Sequence, residues 1–216
     1  HLVIIESYCS DVLFILKSIM TTPLKDPKDT VFPTNLTLNC GGNLVDLSTP
    51  KVMGIVNITP DSFYENSRFT EEKKLLEQVG QQLTDGATFI DLGAMSTRPG
   101  SKEISEMEET ERLLPALRSV VKEFPSAIIS IDTYRSEIAK KAIDLGAHLI
   151  NDISGGKFDT NMIPTISKLK VPYIIMHTLA KPETMQHNPV YSDVIKEIIQ
   201  FFSRQLQALR ELEVQD

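Results

Sequence analysis

Apolar residues recur along this chain in two alternating rhythms. Five short runs are nearly continuous in apolar residues, the pattern of strands buried on both faces: 52–56 (VMGIV), 88–92 (TFIDL), 127–131 (AIISI), 147–150 (AHLI) and 171–176 (VPYIIM). Segments with helical spacing lie between and after them. Residues 70–85 carry Leu75, Leu76, Val79 and Leu83 on one face; Thr70 is the expected N-cap, Glu71 and Glu72 sit in the first turn, and Gly86 is the stop. Residues 105–123 open on Ser105-x-x-Glu108, a capping box. A helix is expected over 136–145, ending at Gly146, and a shorter one over 160–170, where Pro164 is tolerable in the first turn. A long helix over 193–212 starts at Asp193. Ahead of all these, TLNCGGNLVDLS reads as a hairpin turning at Cys40-Gly41-Gly42-Asn43.

Strand and helix in alternation, with short connections, imply a parallel sheet. An open doubly wound sheet and a (β/α)8 barrel both fit. No strand is followed by the dinucleotide-binding glycine fingerprint, which disfavours the first. The polar residues favour the second, because each strand ends in them: Asn57, Asp91 with Ser96-Thr97-Arg98, Asp132, Asn151-Asp152 and His177. In a barrel those ends converge on one mouth, where active sites form. The expected fold class is therefore α/β, a TIM (β/α)8-type barrel that is incomplete, with about five β/α units. An N-terminal hairpin and an extra helical segment precede it.

The first residues, LVIIESYCSDVLFILKSIM, lack a basic n-region and a cleavage pattern, are interrupted by Glu6 and Asp11, and are too short to span a membrane. They read as an amphipathic helix or extension, and TTPLKDPKDTVFPTN as a linker. Residues 1–35 are thus expected to form an extension and linker, and 36–216 a partial barrel domain. A first residue of His rather than Met hints at a partial sequence.

Composition narrows the partners. With 216 residues, 41% of them hydrophobic, the chain can bury one good core. A net charge of −7 argues against nucleic acid, though not against an anionic small ligand held by local amides and a few cations. Two cysteines, Cys9 and Cys40, make neither a disulfide framework nor a metal cluster, so a reducing, cytoplasmic setting is expected.

The strand ends carry the candidate chemistry. Asn57, opening NITPDSF, offers a neutral carbonyl oxygen suited to a hard cation such as Mg2+ shared with substrate phosphates; alternatively it closes a turn with Pro60 and Asp61. Arg98 in STRPGS can pair with a carboxylate or phosphate, or lie solvated on the surface. Asp132 in IDTYR is a carboxylate at the end of a buried strand and needs donors, which the edge of a nitrogen heterocycle supplies. Asn151 in LINDISG can give that ring a donor and an acceptor; for both residues the alternative is capping of the next helix. Met176 reads as a pocket wall, His177 as a structural histidine before a catalytic one, and His148 and His187 as structural or surface residues. Nucleophilic triads and zinc spacings are missing.

Together MGIVNITPDSF, DLGAMSTRPGS, SIDTYR, INDISGG and MHTLAKPETMQHNPVYSDV resemble the dihydropteroate synthases, in the family's order and over residues 36 to about 212. The resemblance implies a TIM barrel that condenses 6-hydroxymethyl-7,8-dihydropterin diphosphate with p-aminobenzoate, giving 7,8-dihydropteroate and diphosphate for folate biosynthesis. Sulfonamides compete with p-aminobenzoate in that family. It further implies Asn57 as a Mg2+ and diphosphate residue, Thr97 as a substrate contact and Arg98 as part of the p-aminobenzoate site. Asp132 and Asn151 would be pterin-edge ligands, and Phe63 the aromatic of the first loop. Asp132, Asn151 and Arg98 are the residues expected to act in catalysis, Mg2+ is the expected cofactor, and the full-length family implies a homodimer.

Three departures stand out. YENSRF carries Glu65 and Asn66-Ser67 where the family often has Asp and glycines, and Met95 stands where Glu is frequent. The chain also stops at ELEVQD, where the family would begin its sixth strand. The last three strands would bring a second aspartate, a lysine-containing loop and an arginine-x-histidine pair. The 216 residues alone are therefore expected to be inactive. A pterin-binding methyltransferase domain is the alternative enzyme, disfavoured by STRPGS and NITPDSF; a non-catalytic short form that binds a pterin is the other.

Overall fold

A computed structural model describes residues 37–58, 68–95, 103–180 and 190–214. The hairpin forms as expected: β1 (Thr37–Cys40) pairs antiparallel with β2 (Asn43–Asp46). Gly41 and Gly42 make the turn with φ of 61° and 92°, a region that costs other residues steric strain. Five parallel strands follow: β3 (Met53–Asn57), β4 (Phe89–Gly93), β5 (Ile128–Asp132), β6 (Leu149–Asp152) and β7 (Tyr173–Ile175). The helices are α1 (Arg68–Thr84), α2 (Glu106–Glu123), α3 (Ser136–Asp144), α4 (Met162–Leu169) and α5 (Val194–Glu211).

Two caps read from the sequence are present. Ser105 accepts a hydrogen bond from the Glu108 amide at 3.1 Å, and Asp193 accepts from the Lys196 amide at 3.0 Å. Each such cap stabilises its helix by about 1 kcal/mol. Thr70 is not a cap: α1 already includes Arg68, and neither Arg68 nor Phe69 is a helix breaker, so the helix runs through them. The first four strands of the parallel sheet end one or two residues later than their apolar runs. Asn57, Gly93, Asp132 and Asn151 are consequently ladder residues and not loop residues.

Strand order is β3-β4-β5-β6-β7, each pair parallel. A doubly wound sheet reverses its order at a switch point, whereas this one advances monotonically. Consecutive helices pack side by side, α1 on α2, α2 on α3, α3 on α4 and α4 on α5, so they share one face of the sheet. This is the winding of a barrel, and the described residues supply five strands of it.

Side chains divide by parity. Val56, Ile90, Leu92, Ile129, Ile131, Ile150 and Tyr173 face the helices, meeting Leu113, Leu117, Ile138 and Met162. Full burial of such aliphatic side chains contributes about 2 kcal/mol each. The opposite parity forms the inner face. At its N-terminal end Met53, Phe89 and Leu149 pack against Cys40, Val45 and Leu47, so the hairpin plugs that end. His148 belongs to the plug. Its Nδ1 accepts the Ile129 amide at 3.1 Å, and its ring lies against Gly41, a structural role.

Candidate active site

The register stacks the inner face into layers. Ile55, Asp91, Ser130 and Leu149 are Cα partners across four strands, and two residues further along come Asn57, Gly93, Asp132, Asn151 and Ile174. Because side chains alternate strictly along a strand, both layers project to the face away from the helices. The C-terminal layer therefore brings Asn57, Asp132 and Asn151 into one row. The separate motifs become one site.

Gly93 lets the row close. A Cβ on Gly93 would lie 3.2 Å from Asp132 Oδ2 and 3.3 Å from Asp132 Cβ, so the carboxylate occupies the space a side chain there would take. Beneath the row is Asp91, only 4% exposed, whose Oδ2 accepts a hydrogen bond from Asn151 Nδ2 at 3.0 Å. A carboxylate only accepts, so it fixes the amide orientation of Asn151 and leaves the carbonyl oxygen for a ligand donor. The Asn151 carbonyl of the main chain accepts the Thr133 amide at 3.1 Å, which joins the ends of β5 and β6. Asn57 is exposed, Asp132 and Asn151 half-buried. Met176, one residue past the end of β7, is exposed.

Asp91, one of the polar strand ends expected at the mouth, is given no role of its own by sequence reasoning. Its signal was parity: it stands two residues before Gly93 and so shares the face of the strand tips. Asp152 has the opposite parity. It is fully buried towards the helices, accepting from Ser154 N (2.7 Å), Gly156 N (2.8 Å) and the Tyr173 hydroxyl (2.6 Å). That burial and the adjacent carboxylate push the Tyr173 phenol above its ordinary pKa. His177 packs its ring on Phe201 (5.1 Å) and Tyr191 (6.0 Å), beside a cavity of about 500 Å3 that Lys157 and Arg204 also line. Thr97, Arg98 and Phe63, with His187 and the 1–35 extension, lie outside the described residues.

Among the described residues no group of three or more His, Cys, Asp or Glu gathers to hold a metal. A resident metal cage is thus not built from them. Mg2+ keeps several waters and takes few protein ligands, usually carboxylates; in the row, Asn57 is exposed at the edge and carries a neutral amide oxygen of the hard type such an ion accepts.

Residues 53–216 match a family described as pterin binding enzyme. The chain belongs to the pterin binding enzymes. Among relatives, a dihydropteroate synthase of Haemophilus influenzae is 40% identical over 167 residues, covering 77% of this chain and 60% of its own length. The solved dihydropteroate synthase of Yersinia pestis, in complex with a sulfonamide drug, superposes with a TM-score of 0.73 at 35% identity, over 83% of this chain and 64% of its own. That of Xanthomonas albilineans with 4-aminobenzoic acid gives 0.72 at 29% identity, covering 83% and 63%. This pterin binding enzyme chain therefore spans less than two thirds of the length of these relatives, which agrees with a barrel of which five strands are present. No helix among its described residues is long and apolar enough to cross a membrane.

Proposed function

We propose that this chain carries the pterin end of a dihydropteroate synthase site, and that the whole protein condenses 6-hydroxymethyl-7,8-dihydropterin diphosphate with p-aminobenzoate. The observation that supports it is the row of Asn57, Asp132 and Asn151 over the buried Asp91. A pterin edge presents ring and amino N–H donors beside acceptors. Asp132 accepts from the donors, and Asn151, oriented by Asp91, offers its carbonyl to a further N–H. As the C–O bond to diphosphate breaks, the pterin methylene gains positive character, and the Asp132 carboxylate is a fixed charge aimed at that change. The amine of p-aminobenzoate then forms the C–N bond and loses its proton.

Asn57 would hold Mg2+ together with the diphosphate, and the ion would neutralise charge on the leaving group. Thr97 and Arg98 would contact substrate, with Arg98 at the p-aminobenzoate carboxylate, while Phe63 and Met176 would wall the pocket. The buried Cys40 fits a reducing cytoplasm. A homodimer is the assembly proposed for the full-length protein.

The test is a coupled assay of the full-length protein with pterin diphosphate and p-aminobenzoate. Formation of dihydropteroate and diphosphate in equal amounts is expected; pterin binding with no product would reduce the reading to a binding protein.

A further inference from the structure

Glu109 is a carboxylate with no solvent exposure, in the first turn of α2, and the reaction outlined above does not use it. Its Oε1 accepts the Thr133 hydroxyl at 2.7 Å, and its Oε2 accepts from the Arg135 guanidinium. Arg135 also donates through Nη2 to the Ile104 carbonyl at 2.6 Å and lies 3.5 Å from the Glu103 carboxylate. The Tyr134 hydroxyl donates to Glu103 at 2.5 Å, and the Tyr134 ring meets Phe158 edge-on at 5.4 Å. On the far side the Ser136 amide donates to Asp159 at 2.8 Å. Residues 133–136 are thus tied both to the start of α2 and to the loop after β6.

Stability is a poor account of this network. Desolvating two charges offsets most of their attraction, and apolar residues of similar volume often serve as well. Burial raises the Glu109 pKa, while Thr133 and Arg135 oppose that rise, so the carboxylate depends on those two partners. What the network does fix is direction. Thr133 follows Asp132 directly; its amide donates to the Asn151 carbonyl at 3.1 Å, and its hydroxyl is held by Glu109. The peptide plane between Asp132 and Thr133 is therefore restrained, and with it the direction from which the Asp132 side chain reaches over Gly93.

We propose that the Glu109–Arg135 pair is a positioning device for Asp132, acting through Thr133 to aim the carboxylate at the pterin edge. The proposal rests on the functional reading above. The experiment uses the full-length protein, with pterin diphosphate binding read by calorimetry alongside steady-state turnover and melting temperature. Thr133→Val removes the hydroxyl link at nearly constant volume, and Thr133→Ser restores it. A double variant, Glu109→Leu with Arg135→Met, removes both charges together. The double variant should melt close to wild type and the valine variant lower, because it leaves Glu109 Oε1 without its donor; both should bind the pterin diphosphate about tenfold to a hundredfold more weakly, the cost of a misplaced reacting group. Thr133→Ser should return to wild-type affinity. Folded valine and double variants with wild-type affinity and turnover would overturn the proposal. If the double variant fails to fold, the valine and serine pair decides alone. A wild-type protein that takes no pterin would overturn the proposal together with the reading beneath it.

Discussion

At the scale of a single residue, the proposed reaction leans most on Asp132, and two substitutions probe it separately. Asp132→Asn keeps the shape of the side chain but removes its charge and one acceptor. In the full-length protein it should lower turnover about a hundredfold, the usual loss when a preorganised electrostatic group is removed, with melting unchanged. Wild-type values for both pterin affinity and turnover would exclude Asp132 from the site. Gly93→Ala leaves the carboxylate in place but sets a methyl group 3.2 Å from its Oδ2, tighter than ordinary van der Waals contact. The displaced carboxylate should weaken pterin binding while the fold survives; unchanged affinity would mean the ligand does not meet Asp132. Asn57 has its own readout. Pterin diphosphate should bind less tightly when Mg2+ is chelated, and Asn57→Ala should blunt that difference. Calorimetry with and without chelator measures it, and an affinity indifferent to Mg2+ would count against the role given to Asn57.

Among the elements, the contact between the hairpin and the sheet responds to pH through His148. Burial holds its pKa below the ordinary 6.5, because protonation would place a charge at the plug and abolish Nδ1 as the acceptor of the Ile129 amide. The unfolded chain binds that proton more readily than the folded one, so stability rises with pH here. The contribution is complete above about pH 6.5 and declines as pH falls from there through the lower, folded pKa. Urea midpoints measured between pH 5 and 8 for wild type and His148→Gln should diverge in slope on the acid side, wild type being the steeper. Parallel curves would show that His148 does not titrate at the plug. Much of this level was legible in the sequence: strand, helix and hairpin follow from apolar runs, Ser105 and Asp193 from cap chemistry. Parity was less so. Asp91 and Asp152 both read as strand-end residues of the mouth, and nothing local in TFIDL or LIND tells their opposite faces apart. The register supplies that answer, by pairing Asp91 with Ser130 and Asp152 with Ile175. The Glu109–Arg135 pair spans 26 residues, and no periodicity signals a contact across two elements.

The whole molecule raises a question of closure. Among the described residues the parallel sheet ends at β3 on one side and β7 on the other, and a parallel barrel loses its edges only when it closes. The last helix points the same way. Along α5, Ile195 (69% exposed), Ile199 (59%) and Leu206 (44%) fall on one stripe, the side that a following β/α unit would cover. Leu209, at the flank of that stripe, is buried against the sheet's helix layer. The dihydropteroate synthase relatives have more chain than these residues match, and the charge of −7 leaves diphosphate poorly balanced without further cations. A polypeptide of residues 1–216 produced alone should therefore associate through the α5 stripe and the strand edges, and should form no dihydropteroate. Light scattering would register the association, hydrogen exchange should find β7 amides opening well before those of the central β5, and the coupled assay should stay at background. A stable monomer that turns over would mean that five strands suffice, and that the site needs nothing beyond the row of Asn57, Asp132 and Asn151 and the loops around it.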